Sequence, residues 1–165
     1  MNPNPDPGTF ALAFAPNGAV LISETGPAGG VNASTISSFA VNASGTLSPV
    51  STGVPTSGAA NCWNAGTPDG RFVYTSNAGS ATISGFAISN TGALTALSGT
   101  VVGINPAGNT NLDIAVSADG KFLYTLNSGA GAIGIFAIQP DGTLTSLGDG
   151  GNLPKTAGFN GIAAN

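Results

Sequence analysis

Along most of this chain apolar and small polar residues alternate in short runs, broken at regular intervals by Asp-Gly, Asn-Gly and Asn-x-Gly. A period of two marks strands, and Gly- or Asn-bearing tips supply the positive φ angles of tight turns. In the middle of the chain the runs predict four strands in succession: Asn61 to Thr67, Arg71 to Ser76, Thr82 to Ile88 and Leu94 to Val102. Between them lie Pro68-Asp69-Gly70, Asn77-Ala78-Gly79 and Asn90-Thr91-Gly92. The third strand sets Ile83, Gly85 and Ala87 against Ser84, Phe86 and Ile88, so both faces carry apolar groups. Such a strand belongs to a sheet covered on both sides.

The same pattern returns. Gly70, Tyr74, Phe86 and Leu94 reappear as Gly120, Tyr124, Phe136 and Leu144, a spacing of 50 residues. A looser copy comes first: APNGAVLISETG begins it, and STISSFAVNASGTLSPV completes it after a five-residue insertion within Gly26 to Ala33. Four strands per unit at a period near 50 is the signature of propeller blades. The prediction is therefore an all-β, partial β-propeller forming one domain over residues 1–165. Its blades span about 10–57, 61–106 and 111–156, and Phe159-Asn160-Gly161-Ile162-Ala163 repeats Asn111 to Ala115 as the first strand of a fourth blade, 159–164. Propellers close with about four to eight blades, so three leave two apolar blade faces uncovered. Further blades of a longer chain, or self-association, are expected to cover them.

Composition narrows the function. Hydrophobic residues make up 41% and charged residues only 6%, against about 25% charged in an ordinary soluble domain. The net charge is −4, with Arg71, Lys121 and Lys155 as the only basic side chains. Nucleic-acid binding needs several phosphate-neutralising cations, so it is not expected. No apolar run of about twenty residues exists to insert in a membrane. The start, MNPNPDPGTF, lacks the basic and apolar regions of a signal peptide, while the small, uncharged composition suggests a periplasmic or extracellular parent protein. One cysteine, Cys62, precludes an internal disulfide, and with no His there is no Cys-His pair, no Ser-His-Asp set and no zinc spacing. No metal and no cofactor is expected.

The stretches PDGRFVYTSNAGSATISGFAIS and ADGKFLYTLNSGAGAIGIFAIQPDGTLTSL resemble blades of the lactonase-family seven-bladed β-propellers, and are also similar to bacterial surface propellers of the YVTN type. The family includes a bacterial 6-phosphogluconolactonase and the fungal carboxy-cis,cis-muconate cyclase. The resemblance implies that this chain belongs to a hydrolase-like propeller about twice its length, with His, Arg and Glu gathered around the central channel. The family's inner-strand His matches Asp113 here, with Trp63, Ala11 and Gly161 as its counterparts in the other copies. The chain has no His, and Arg71 and Lys121 follow turns rather than lining inner strands.

Three residues are candidates for a ligand site, and no catalytic residue is assigned. Asp113, on an inner strand, can hold a cation, orient a water or bond a sugar hydroxyl; the alternative is a carboxylate that satisfies backbone N–H groups at a strand entry. Trp63 lies at the same repeat position, where an indole plate suits sugar stacking or simply packs the blades. Glu24, the only Glu, ends a second strand beside the insertion, where it serves a binding loop or stands solvated. Asp69, Asp119 and Asp141 precede turn glycines and are read as turn chemistry alone. The function expected is that of a binding or scaffold segment with a small, sugar-like ligand at the channel mouth. The alternative is part of a lactone hydrolase whose catalytic residues lie mostly in other blades.

Overall fold

A computed structural model describes residues 8–28, 30–105, 110–155 and 158–165. The described chain is built of twelve strands in three four-stranded antiparallel sheets, each ordered as the chain runs. Blade 1 holds β1 (Thr9–Phe14), β2 (Val20–Glu24), β3 (Thr35–Val41) and β4 (Leu47–Pro55). Blade 2 holds β5 (Asn61–Gly66), β6 (Phe72–Asn77), β7 (Thr82–Ile88) and β8 (Leu94–Ile104). Blade 3 holds β9 (Asn111–Val116), β10 (Phe122–Asn127), β11 (Ala132–Ile138) and β12 (Leu144–Gly150). The inner strands β1, β5 and β9 pack on one another in series. This is the partial propeller that the repeat predicts. The expected ends of blades 2 and 3, Pro106 and Thr156, lie outside the described residues.

Turn chemistry fixes the hairpins. At the Asp-Gly tips Gly70 and Gly120 take φ of 73° and 71°, values that a Cβ makes costly. The preceding carboxylates close the turns: Asp69 Oδ1 accepts from Thr67 Oγ1 at 2.6 Å and from the Arg71 N–H at 3.1 Å, and Asp119 Oδ1 does the same for Ser117 Oγ and the Lys121 N–H.

Alternation then sends each strand's side chains toward two neighbours. Val73, Phe86, Ile88 and Leu94 of blade 2 meet Leu21 and Ile36 of blade 1. From the opposite face Phe72, Tyr74 and Ile83 meet Ile114, Leu123 and Phe136 of blade 3. Phe86, Ile83 and Tyr74 are fully buried, each contributing roughly 1.5–3 kcal/mol of transfer free energy. Polar bonds cross the same seams. Tyr74 Oη donates to Gly142 O at 2.8 Å, Asn61 Nδ2 to Thr35 O at 2.7 Å, and Asn111 Nδ2 to Thr82 O at 2.9 Å.

Two expectations need correction. Residues 159–164 form no strand. In each blade the inner strand takes its ladder from the second strand of its own sheet, and no such partner is present for this segment among the described residues. Blade-to-blade contact is face packing and supplies no ladder. The insertion is also longer than five residues: ten separate β2 from β3, against four between β6 and β7 and four between β10 and β11.

The face of blade 1 turned away from blade 2 is open along β1, where Leu12 and Phe14 are 55% and 66% exposed, while a register shift before Leu12 leaves Phe10, 51% exposed, against Trp63 of blade 2.

Candidate functional site

The inner strands begin at the end of the propeller that also carries the turns between second and third strands. Backbone bonds tie the two together. In blade 1 the Thr25 N–H and Thr25 Oγ1 both donate to Gly8 O, at 2.9 and 3.0 Å. In blade 2 the Ala78 N–H donates to Ala60 O and the Gly79 N–H to Ala59 O, both at 2.9 Å. Trp63, Asp113, Glu24 and the blade 1 insertion all belong to this end.

Trp63 is half-buried on β5 and packs on the blade 2–blade 3 core. Its ring meets Phe10 edge-on, with centroids 4.8 Å apart and planes at 70°. Its strand is locally irregular, the register shifting between Asn61 and Asn64. Such bulges re-aim side chains. The result is a two-ring aromatic surface bridging the inner strands of blades 1 and 2.

Asp113, at the corresponding place on β9, is only 5% exposed. Both its oxygens are engaged by backbone: Oδ1 accepts the Ile114 N–H at 2.7 Å, and Oδ2 accepts the Ile162 N–H at 2.9 Å. Burial pushes its carboxyl above the ordinary range, against these two N–H bonds. The carboxylate thus fastens the segment that follows blade 3 to the inner strand of blade 3.

Glu24 is not a solvated loop carboxylate. It is fully buried at the end of β2, opposite Thr9 and Thr35, and Thr35 Oγ1 donates to its Oε2 at 2.5 Å. The sheet register, rather than the neighbouring insertion, sets its surroundings, since the ladder runs to the last residue of the strand. Glu24 therefore sits in the interior of blade 1, whereas Trp63 and Asp113 lie on adjoining inner strands.

Sequence reasoning passed over a set of buried amides and hydroxyls that surrounds these positions. Asn61 and Asn111 open the inner strands, Asn77 and Asn127 close the second strands, and all four are fully buried. Each pair is 50 residues apart, so a polar residue recurring at the repeat period inside an apolar alternation was the available signal. In the seam between blades 1 and 2, Thr75 Oγ1 donates to Asn61 Oδ1, and Ser84 Oγ donates to Thr56 O at 2.6 Å. The seam between blades 2 and 3 differs. Gly134 replaces Ser84 in the register, and the buried Asn105 side chain enters the space so opened: a Cβ on Gly134 would stand 3.0 Å from Asn105 Oδ1. Thr125 Oγ1 turns to Asn105 Oδ1 at 3.2 Å, and both Asn105 Nδ2 and Asn111 Oδ1 are left without a protein partner.

The opposite end of the propeller holds the Asp-Gly turns with their ion pairs. Arg71 pairs with Asp69 at 2.6 Å and Lys121 with Asp119 at 3.1 Å. Burial raises the Asp69 carboxyl, but the Thr67 hydroxyl and the Arg71 groups outweigh it and hold it at about 2. The Ser117 hydroxyl and the Lys121 N–H and ammonium hold Asp119 at about 2 as well. These basic groups are therefore spent on their own turns, away from the inner-strand entries. Cys62 is buried, its thiol raised by desolvation, which suits packing rather than nucleophilic chemistry. Among the described residues no three His, Cys, Asp or Glu side chains gather to hold a metal ion.

Residues 9–111 match the family of lactonase seven-bladed β-propellers. The chain belongs to that family. No curated protein sequence matches it. Among solved structures it is similar to a protein from Lactobacillus plantarum at 25% identity, covering 87% of this chain and 41% of that one, with a TM-score of 0.72. A candidate 6-phosphogluconolactonase from Bacteroides fragilis superposes at a TM-score of 0.73 with 23% identity, covering 94% and 42%. A periplasmic gluconolactonase from Pseudomonas aeruginosa gives 0.68 with 21% identity, covering 90% and 43%. At these last two identities the likeness is one of fold. The chain spans less than half the length of each of these proteins, and three blades stand here against the seven of the family's ring.

Proposed function

We propose that this chain is a binding and scaffold segment of a lactonase-like propeller, taking a small neutral, sugar-like ligand at the mouth where the inner strands begin. The observation that carries the reading is the Trp63–Phe10 pair, an aromatic surface left half-covered at the entry of the inner strands. Rings of this kind present an apolar face to the C–H side of a sugar or lactone while neighbouring amides bond its hydroxyls. Asp113 supports that surface by fixing adjacent backbone rather than by offering a vacant oxygen. The exposed Leu12 and Phe14 face is covered, in this reading, by further blades or by a second copy of the chain.

Trp63 is the only tryptophan, so its fluorescence reports the site directly. Titration with glucono-lactone should shift and saturate the emission. A Phe10→Ala variant should weaken the response several-fold, and an emission unmoved by any lactone or free sugar would defeat the reading.

The second reading is that the parent protein hydrolyses lactones with His, Arg and acid groups carried by other blades. Family membership favours it, and in this reading the catalytic groups lie mostly in other blades, since this chain carries no His. Here the chain alone should open 6-phosphogluconolactone no faster than the spontaneous rate. Catalysis by the chain, abolished by Asp113→Ala, would place the chemistry in these three blades instead.

A further inference from the structure

The insertion of blade 1 does more than lengthen a turn. Together with the β4–β5 connection and the β6–β7 turn it encloses a cleft of about 520 Å³, within the range of small-molecule sites. Pro27, Ala28 and Val31 form one wall, and Ala59, Ala60 and Gly79 the other. Blade 1 has ten residues at this turn where blades 2 and 3 have four, so the cleft is a feature of one seam and not of the repeat.

Its chemistry is narrow. No lining residue carries a charge. The polar groups of the floor are already bonded to one another: the Gly79 N–H to Ala59 O, the Ala78 N–H to Ala60 O, the Ala59 N–H to Ser80 Oγ at 3.1 Å, and Thr25 Oγ1 to Gly8 O. What remains for a ligand is a surface of methyl and pyrrolidine carbon, on which a charged group would lose hydration without return. Asn32, exposed at the rim and held at φ 52°, offers one amide. Val31 stands 84% exposed beside it, an apolar group that an occupant would cover. The insertion is braced from within, the Gly30 N–H donating to Pro27 O at 2.9 Å and Ser34 Oγ to Thr25 O at 2.7 Å. Its walls are thus held before any ligand arrives, which limits the ordering cost of binding.

We propose that this cleft is a second binding site, separate from the channel mouth, for a neutral compact ring compound bearing a single hydroxyl or carbonyl group. The apolar ring lies between Val31 and the Ala59–Ala60 wall, and its one polar atom meets the Asn32 amide. Anionic sugars, phosphates and polyols are refused, the first two for their charge and the last for hydroxyls that the walls do not pair.

The test is a titration of the methyl- and 15N-labelled full chain with cyclohexanol, followed by NMR. Saturable shifts confined to the methyls of Ala28, Val31, Ala59 and Ala60 are expected. Cyclohexanecarboxylate and glucose should leave those methyls unmoved. Ala28→Trp, at an exposed position, should fill the cleft and weaken binding at least tenfold while the rest of the spectrum is preserved. Val31→Asp, which touches no packed contact, should weaken it several-fold. Cyclohexanol shifts that are absent, that move only Trp63, that survive Ala28→Trp, or that are matched by the carboxylate would each overturn the proposal. Because the Trp63 indole is observed in the same spectra, failure of the cleft and failure of the channel-mouth site are told apart.

Discussion

Gly134 and Asn105 form a coupled exchange that can be reversed by substitution. In the blade 1–blade 2 seam the corresponding residues are Ser84 and Thr56. A Cβ placed on Gly134 would lie 2.5 Å from Thr125 Oγ1, 3.0 Å from Asn105 Oδ1 and 3.0 Å from Asn127 Nδ2. The first distance is below any normal contact, and the surroundings are fully buried, so Gly134→Ser alone should cost about 1–3 kcal/mol by overpacking. Asn105→Thr removes the crowding amide and with it the unpartnered Nδ2, a group whose burial costs on the order of 1–3 kcal/mol. It also frees the Thr125 hydroxyl to reach Asn111 Oδ1, as Thr75 reaches Asn61. Those gains offset the small void left behind, and the single Asn105→Thr change should be close to neutral. In the double variant the new serine can donate to the backbone carbonyl of residue 105, as Ser84 does to Thr56. Urea unfolding of the four proteins in a double-mutant cycle measures the coupling. A favourable coupling of about 1 kcal/mol or more is expected. Additive effects, or a Gly134→Ser variant as stable as the parent, would refute the claim that Asn105 occupies the space of a missing side chain.

Stability should fall as pH rises through the elevated titration of Asp113. A carboxyl with a raised folded pKa binds more protons folded than unfolded, so its contribution is lost on deprotonation. Asp69 and Asp119, held at about 2, act in the opposite sense, adding stability as pH climbs from about 2 through the ordinary carboxylate range. Thermal melts across pH should therefore pass through a maximum. Asp113→Asn should remove the descending limb between the ordinary carboxylate range and neutral pH, leaving the separate alkaline fall that the raised Cys62 and Tyr74 groups cause. A fall below neutral pH that persists in that variant would show that another group causes it. Tyr74→Phe leaves Gly142 O without its buried donor and should cost about 1–3 kcal/mol; a neutral result in urea unfolding would mean that the hydroxyl does not join blades 2 and 3. Leu12→Ser combined with Phe14→Ser should abolish association in analytical ultracentrifugation if a second copy covers the open face of blade 1, while unchanged mass would leave that face to blades of the same ring.

The sequence by itself determined the blades. The spacing of 50 residues, the Asp-Gly tips and the period-two alternation are local properties, and each is enough to set a turn or a strand. Strand three of blade 2 was legible to the residue, Thr82–Ile88, because turns bound it on both sides. Only the tertiary structure decided what the polar residues do. Asp113 reaches the N–H of Ile162, 49 residues further on, a pairing that rests on how blades fan around the axis and not on any spacing within one repeat. Glu24 looked like a loop residue because the insertion follows it, yet the ladder to Thr9 and Thr35 carries it to full burial. Residues 159–164 repeat an inner strand in letters, but a strand is a pairing, and no second strand lies beside them among the described residues. Which strands exist was written in short-range pattern; which side chains meet was fixed by faces packing across seams, a long-range outcome that alternation permits in more than one register.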